Sequence, residues 1–501
     1  MQGRLREPLL PAMTPLGRIR PLNDRPLNPD GAFVLYWMTT ARRTRWNFGL
    51  QRATELAREL QRPLVILEAL RCDYPWANDR LHRFILDGMA ANAAAVLGRA
   101  RYYAYVEPSR DAGKGLLAAL ARAACVVVTD SYPAFFLPRM LAAAARQSVV
   151  RLEAVDSNGL VPLSAHGREF PTARGYRAFV QRELKTHLKQ FPQEDPLEGF
   201  EAPAVDPVPP SITTEWPAAE PGMLQGRVAA LATLPIDHAV APADTRGGST
   251  AAARALNTFV RERLAAYGEA HNHPDADATS RLSPYLHFGH LASHEVFAAV
   301  MSAERWTTRR LAAGAGGARE GWWGVSASAE TFLDQLVVWR ELAFNGCQWS
   351  QATGYEAIPA WARRTLDAHL DDPRPHLYTS RQLEDAATHD RIWNAAQRQL
   401  TTEGWFHGYM RMVWGKKILE WSVEPREALA RMEHLMNRYS LDGRDPISYA
   451  SYGWVLGRYD RPWFERPIFG TVRCMTSGSA SRKLRLKQWL ARYAPQPGLF
   501  P

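Results

Sequence analysis

HDRIWNAAQRQLTTEGWFHGYMRMVWGKKILEW, residues 389–421, and LDGRDPISYASYGWVLGRYDRPW, residues 441–463, decide how this chain is read. Tryptophan is crowded into both. Arg411, Trp414 and Trp421 fall on what reads as one helix, the tryptophans three and ten residues beyond the arginine. At about 1.5 Å of rise per residue, the two indoles lie roughly 10 Å apart, two turns along nearly the same face. Trp393 belongs to a preceding helical pattern and joins them if the two helices pair. A lone tryptophan is ordinarily core filling. Three of them beside an arginine, with the acidic residues of DGRDP following, point to something more specific.

Outward from this stretch, 13 of the 17 tryptophans lie beyond residue 300, where the pattern is helical almost to the end. The first part of the chain differs. Short apolar runs at 33–38, 64–67, 102–106, 125–129 and 149–155 alternate with Ala- and Leu-rich helical patterns such as LQRATELARELQ and LLAALARAA. Alternation of this kind predicts a parallel, doubly wound sheet. The expected fold is therefore an α/β N-terminal, Rossmann-like domain followed by an all-α C-terminal domain. The expected divisions are a loose tail (1–31), the α/β domain (32–190), a Pro-, Glu- and Ala-rich connector (191–248), the helical domain (249–490) and a tail (491–501). The Gly- and Ala-rich segment RLAAGAGGAREGWWGVSASA, from residue 310, reads as a flexible insertion.

Composition narrows the function. An apolar content of 46% and a charged content of 22% belong to a globular chain. No apolar run is long enough to cross a bilayer. The start lacks the apolar core of a secretory signal, and its prolines break the amphipathic pattern of a transit peptide, so a cytoplasmic or nuclear location is expected. A net charge of +10 favours a polyanionic partner, although many basic enzymes bind no nucleic acid. The four cysteines are scattered without a CxxC and read as reduced thiols. No GxGxxG follows the first strand and no GxxxxGK[ST] occurs, which removes the dinucleotide and P-loop readings. His287, His290 and His294 share one helical face, but nothing nearby completes a zinc set, and no metal is expected. The hydroxyl-rich turn TSRLS, 279–283, entering a helix, suits either ordinary capping or an anion.

WNAAQ, MRMVWGKKILEW, LDGRDP and ERPIFG carry a resemblance. The chain resembles the photolyase/cryptochrome family, and most of all its class II cyclobutane pyrimidine dimer photolyases, over roughly residues 32–480. The resemblance implies an FAD-binding helical domain. FAD phosphates fall to Tyr267, Thr279, Ser280, Leu282 and Ser283, and the flavin ring to the facing pair Arg411 and Asp442, with Arg340 and Asp445 as further contacts. A guanidinium beside the ring favours its anionic reduced form. Trp414, Trp393 and Trp421 match the class II electron-transfer tryptophans, with the hole left close to solvent. Trp339 and Trp454 match the aromatic walls of a slot for a flipped pyrimidine dimer, with Met412 beside them. The partner implied is DNA containing pyrimidine dimers, bound by a monomer, with basic residues of GRYDRPWFERP and SRKLRLK around the slot. An antenna chromophore, of deazaflavin or folate type, belongs to the α/β domain in this family, and the sequence does not say which binds.

Three positions depart from class II. Gln335 stands where a Glu hydrogen-bonds the dimer, and it cannot supply a proton or a charge. Met436 stands where an Asn faces flavin N5, with Asn437 one step along. His271 replaces an Arg. The function expected is light-dependent splitting of cyclobutane pyrimidine dimers. The alternatives are a cryptochrome-like photoreceptor that keeps FAD without repairing DNA, favoured by Gln335 and Met436, and repair of the (6-4) photoproduct.

Overall fold

The computed structural model describes residues 13–350 and 354–495, so the outer parts of both expected tails lie outside it. Six strands form one sheet: β1 (Ile19–Pro21), β2 (Phe33–Met38), β3 (Leu64–Leu70), β4 (Arg101–Val106), β5 (Ala124–Asp130) and β6 (Leu152–Val155). Their spatial order is β1-β6-β5-β2-β3-β4, parallel throughout except that β1 pairs antiparallel with β6. The five parallel strands are those the apolar runs predict. Their uninterrupted apolar character follows from helices covering both faces. Phe33, Leu35 and Trp37 of β2 pack to one side with Leu120, while Val34, Tyr36 and Met38 pack to the other with Leu56.

The segment expected to be a loose tail is ordered from residue 13. Ile19 pairs with Val155, and Arg18 is buried, its guanidinium donating to the carbonyls of Asp156, Gly159 and Leu160. That anchor is a long-range hydrogen-bond set, which no local periodicity announces. The segment from residue 310 is likewise not loose. Trp322 and Trp323 are buried, and Gly317 donates to Gln181 from the Ala173–His187 helix. Two indoles removed from water outweigh the flexibility that the glycines suggest.

The connector wraps the sheet domain. Leu197 is buried in the core beneath the Phe48–Glu59 helix, Trp216 packs with β4, and Asp237 pairs with Arg438 of the helical domain. The two domains are clasped by polar groups aimed at backbone. Glu341 accepts from the N–H of Leu160 and Val161, Arg340 donates to the Asn158 carbonyl, and Arg43 donates to the Gly289 carbonyl. Gly289 has a φ of +72°, and a Cβ there would lie 1.7 Å from the Thr40 carbonyl oxygen, so only glycine permits this approach. No helix of the described residues is long and apolar enough to cross a membrane.

Candidate functional site

Three indoles are brought together by a helical hairpin. Asp390 caps the Arg391–Glu403 helix by accepting from the N–H of Ile392 and Trp393. Gly404 ends it at a φ of +67°, and His407 caps the next helix, Gly408–Glu420. So short a link makes the helices antiparallel neighbours and sets the start of the first against the end of the second. Trp393 consequently stands between the other two indoles. It stacks on Trp414 at 6.3 Å with an interplanar angle of 2°, and meets Trp421 edge to face at 5.5 Å. Trp393 donates to the Trp414 carbonyl, and Trp414 donates to Gln397. All three indoles are buried, so Trp421 is not the solvent-facing end that the sequence suggests. Tyr378, half-buried, lies 5.1 Å from Trp421, and its hydroxyl bonds Nδ1 of the exposed His389 at 2.5 Å. Nothing in the spacing of the sequence singles out Tyr378, because it comes from a separate loop.

At the inner end of the same hairpin Arg411 donates to both oxygens of Asp442, at 3.0 and 3.2 Å. Burial pushes the Asp442 carboxyl up, but the Arg411 charge and hydrogen bonds from Ser440 and Ser283 prevail and leave it below the usual carboxylate range. Ser283 opens a helix of five residues, Ser283–His287, which is too short to add much of a dipole. Any anion held here rests on hydroxyls and backbone N–H groups. Tyr267 is buried, with Phe259 and Phe332 edge-on to its ring and His271 stacked on it. Leu282 is buried, and the Ser280 hydroxyl accepts from its N–H.

Nε of Arg411, in the pair itself, and the Thr279 hydroxyl, in the TSRLS turn, are buried without a hydrogen-bond partner, and the buried Asn437 amide lies against Tyr449. Unsatisfied buried polar atoms mark a place where a polar ligand belongs. The chemistry gathered here, a hydroxyl, a cation and an amide, fits the phosphate and ring edges of FAD. Asn437 is fully buried beside Tyr449, whereas Met436 packs into the apolar cluster that holds Trp393 and Trp414.

Of the other expected contacts, Asp445 adjoins the pair, its N–H donating to the Asp442 carbonyl at 3.3 Å, and Arg340 reaches toward the α/β domain. Arg340 is bound to the Asn158 carbonyl and the Ser293 hydroxyl and lies over Phe344. Asp445 caps the Pro446–Val455 helix, and its second oxygen sits 3.3 Å from both the Tyr132 hydroxyl and His287. The three histidines weighed for a metal diverge. His287 meets Asp445, His290 stacks on Phe84 and accepts from the Gly248 N–H, and His294 lies between Phe48 and Phe191. Among the described residues no group of three ligating side chains gathers.

Trp339 and Trp454 are both half-buried, and the Arg340–Ser350 helix that follows Trp339 packs on the Pro446–Val455 helix that carries Trp454. Trp339 ends a π-helical turn, Asp334–Trp339, whose extra residue re-aims the side chains after it. Gln335, in that turn, is exposed, and Met412 is half-buried. Trp454 lies between two cations. Nζ of the fully buried Lys416 is 5.1 Å from its ring and donates to the Val455 carbonyl, while the Arg473 guanidinium is 5.7 Å away. Burial pulls the Lys416 ammonium down to about 7. The SRKLRLK residues lie instead around an open groove of about 650 Å³ with Asp275 and Arg391. In the α/β domain, a cleft of about 160 Å³ at the carboxyl ends of β2 and β3 is lined by Trp37, Arg71, Tyr74, Phe136, His287 and Arg444. It adjoins a second cavity of about 550 Å³.

A doubly wound sheet clasped to a helical domain is the fold of the photolyase class of protein, and here it carries three packed indoles and a buried Arg–Asp pair. The chain belongs to the photolyase/cryptochrome family: it is 34% identical to the deoxyribodipyrimidine photo-lyase of Methanothermobacter thermautotrophicus over 95% of this chain and 97% of that one. Photo-lyases of Oryza sativa subsp. japonica (32% identical; 95% of this chain, 90% of that one) and Potorous tridactylus (31%; 93% and 81%) are similar over comparable lengths. No family model matches. The fold is shared with the class III photolyase of Agrobacterium tumefaciens (TM-score 0.66, 19% identical, 92% of this chain and 86% of that one). It is shared too with an archaeal photolyase of Sulfolobus tokodaii solved with two FAD molecules (TM-score 0.63, 13%, 93% and 91%).

Proposed function

We propose that this protein is a light-dependent DNA repair enzyme, a class II-like photolyase that splits cyclobutane pyrimidine dimers with FAD held in its helical domain. The observation that carries this is the single hairpin on which the indole relay leads to Arg411 and its partner Asp442. The relatives' shared name supports repair over the photoreceptor reading. Bound and reduced, FAD supplies on illumination the electron that opens the cyclobutane ring. The protein's own groups do the rest. Tyr267, Thr279, Ser280, Leu282 and Ser283 hold the phosphate end. Arg411, paired with Asp442, would stabilise negative charge on the ring, and removing that carboxylate would leave a buried cation unpaired. Asn437 offers the buried amide that Met436 does not. Trp414, Trp393 and Trp421 would form the path by which an electron reaches oxidised flavin, with Tyr378 at the outer end beside Trp421. Trp339 and Trp454 form the slot walls, with Met412 beside them, and Gln335 at the rim offers hydrogen bonds without a proton.

The test is repair of an oligonucleotide with one thymine dimer by reduced protein under blue light, read as restored thymines by chromatography. Light-dependent restoration is expected. FAD binding and photoreduction with no restored thymine would contradict the proposal. Gln335→Glu should raise the repair yield, and an unchanged yield would remove the role given to that position.

A further inference from the structure

Lys416 is a buried cation for which the relay and the flavin pair have no use. It stands one turn beyond Met412 on the Gly408–Glu420 helix and is fully buried. Its neighbour Gly415 allows the placement. A Cβ there would lie 2.7 Å from the Val455 side chain and 3.0 Å from the Met432 sulfur, so a larger residue would push this helix away from the end of the Pro446–Val455 helix. Across that close approach the Lys416 ammonium donates to the Val455 carbonyl, the last of its helix, at 2.5 Å. Among the described residues no carboxylate pairs with it, whereas the adjacent Lys417 holds Glu420 at 2.8 Å. An ammonium removed from water with a carbonyl as its partner costs free energy that a methionine in its place would not.

What the charge faces is Trp454, whose ring centre is 5.1 Å from Nζ. The charged and titratable groups around Lys416 are Asp460, Cys474 and Arg473. Asp460 accepts from the Trp463 indole, burial pushes the Cys474 thiol up so that it stays neutral, and Arg473 adds a second cation 5.7 Å from the Trp454 ring. Trp454 is half-buried and Lys416 is not accessible at all, so a ligand entering from solvent meets the ring and never the ammonium behind it. Such a cation acts on the ligand through its field alone, across an aromatic ring and away from water, where a charge is felt far more strongly than in solvent. A neutral dimer gains little from it. A dimer that carries an extra electron gains much more, because the cation is already in place when the charge develops.

We propose that Lys416 is a positioning residue for repair, its ammonium stabilising through Trp454 the negative charge that the dimer holds while its ring opens. The proposal rests on the lesion slot assigned to Trp339 and Trp454. The electron comes from reduced flavin and returns to it, the two C–C bonds that close the cyclobutane break as two C=C bonds form, and Lys416 keeps its proton throughout. The contribution belongs to the charged state of the dimer, so it raises the yield of splitting and leaves the dark affinity alone.

Dimers repaired per absorbed photon would be measured from about pH 6 to about pH 9 on a saturating single strand with one thymine dimer. The proteins are flavin-loaded, reduced wild type, Lys416→Met and Lys416→Arg, and dark binding of that strand and of its undamaged counterpart is read by fluorescence anisotropy. Burial pulls the Lys416 ammonium down to about 7, so the wild-type yield should fall as pH rises through that point. Lys416→Arg, charged across the range, should keep the high yield. Lys416→Met should stay at least about threefold below it and flat with pH, with dark binding within about twofold of wild type. A lysine that only capped the helix would instead cost binding in Lys416→Met and produce no such profile. A Lys416→Met yield equal to that of wild type at the acid end, or a wild-type pH profile that persists in Lys416→Met or Lys416→Arg, would overturn the role of Lys416 and leave the slot standing. A wild-type protein with no preference for the dimer strand over the undamaged one would remove the slot, and the role of Lys416 with it.

Discussion

Trp393 is the residue on which the proposed relay turns, because it alone touches both other indoles. Exchanging it for phenylalanine keeps an aromatic filler but removes the intermediate donor between Trp414 and Trp421. Photoreduction of bound flavin in Trp393→Phe should slow at least about tenfold at unchanged flavin content, since each further ~1.4 kcal/mol of barrier is a factor of ten. Unchanged photoreduction kinetics on illumination with an external reductant would show that electrons enter elsewhere. At this scale the sequence was informative wherever a motif names chemistry. Arg411 and Asp442 are recognisable from MRMVW and LDGRDP, and they pair directly. What the sequence hid is which neighbour a side chain meets. The middle position of Trp393 depends on a helix crossing, and the burial of the Asn437 amide beside Tyr449, one residue from Met436, depends on helix phase. Lys416 was equally hidden. A lysine inside MRMVWGKKILEW reads as a solvated face, yet it is buried, with Trp454 within cation–π distance.

Among the elements, the five parallel strands were legible because strands covered on both faces read as continuous apolar runs. The three-residue β1 was not, having neither length nor periodicity and ending in proline. The π-helical turns at Phe259–Arg263 and Asp334–Trp339 are also invisible in the sequence. One inserted residue per turn barely alters the apolar spacing, but it rotates everything that follows. For Trp339, which ends the second of them, the turn sets how its indole is presented. The TSRLS turn is a different case. Its residues suit either ordinary capping or an anion, and the helix they open is five residues long, so its dipole adds little to either. The Trp322–Trp323 segment shows how composition misleads when two large side chains find a core.

On the scale of the whole molecule, the domain interface and the cores hold several neutral histidines. Burial pulls His82, His166 and His407 down to about 4 and His290 to about 3. The unfolded chain binds these protons below about 6.5, the folded chain does not, and stability therefore falls as pH drops through that window. Each such histidine costs about 1.4 kcal/mol per pH unit below its unfolded value. Glu341 acts oppositely, since burial at the clasp pushes its carboxyl up to about 7 and its contribution is lost as pH rises from the unfolded value toward that point. Four histidines outweigh one glutamate, so the denaturant midpoint should fall clearly from pH 6.5 to pH 5, and a flat or rising midpoint would contradict this balance. The central claim, that a flavin lies among the C-terminal helices against Arg411, is tested most directly by the absorption of the purified protein, before and after flavin is offered and free ligand removed. One flavin per chain, with affinity sharply reduced in Arg411→Met, is the result predicted. A protein that stays colourless after reconstitution would contradict the account.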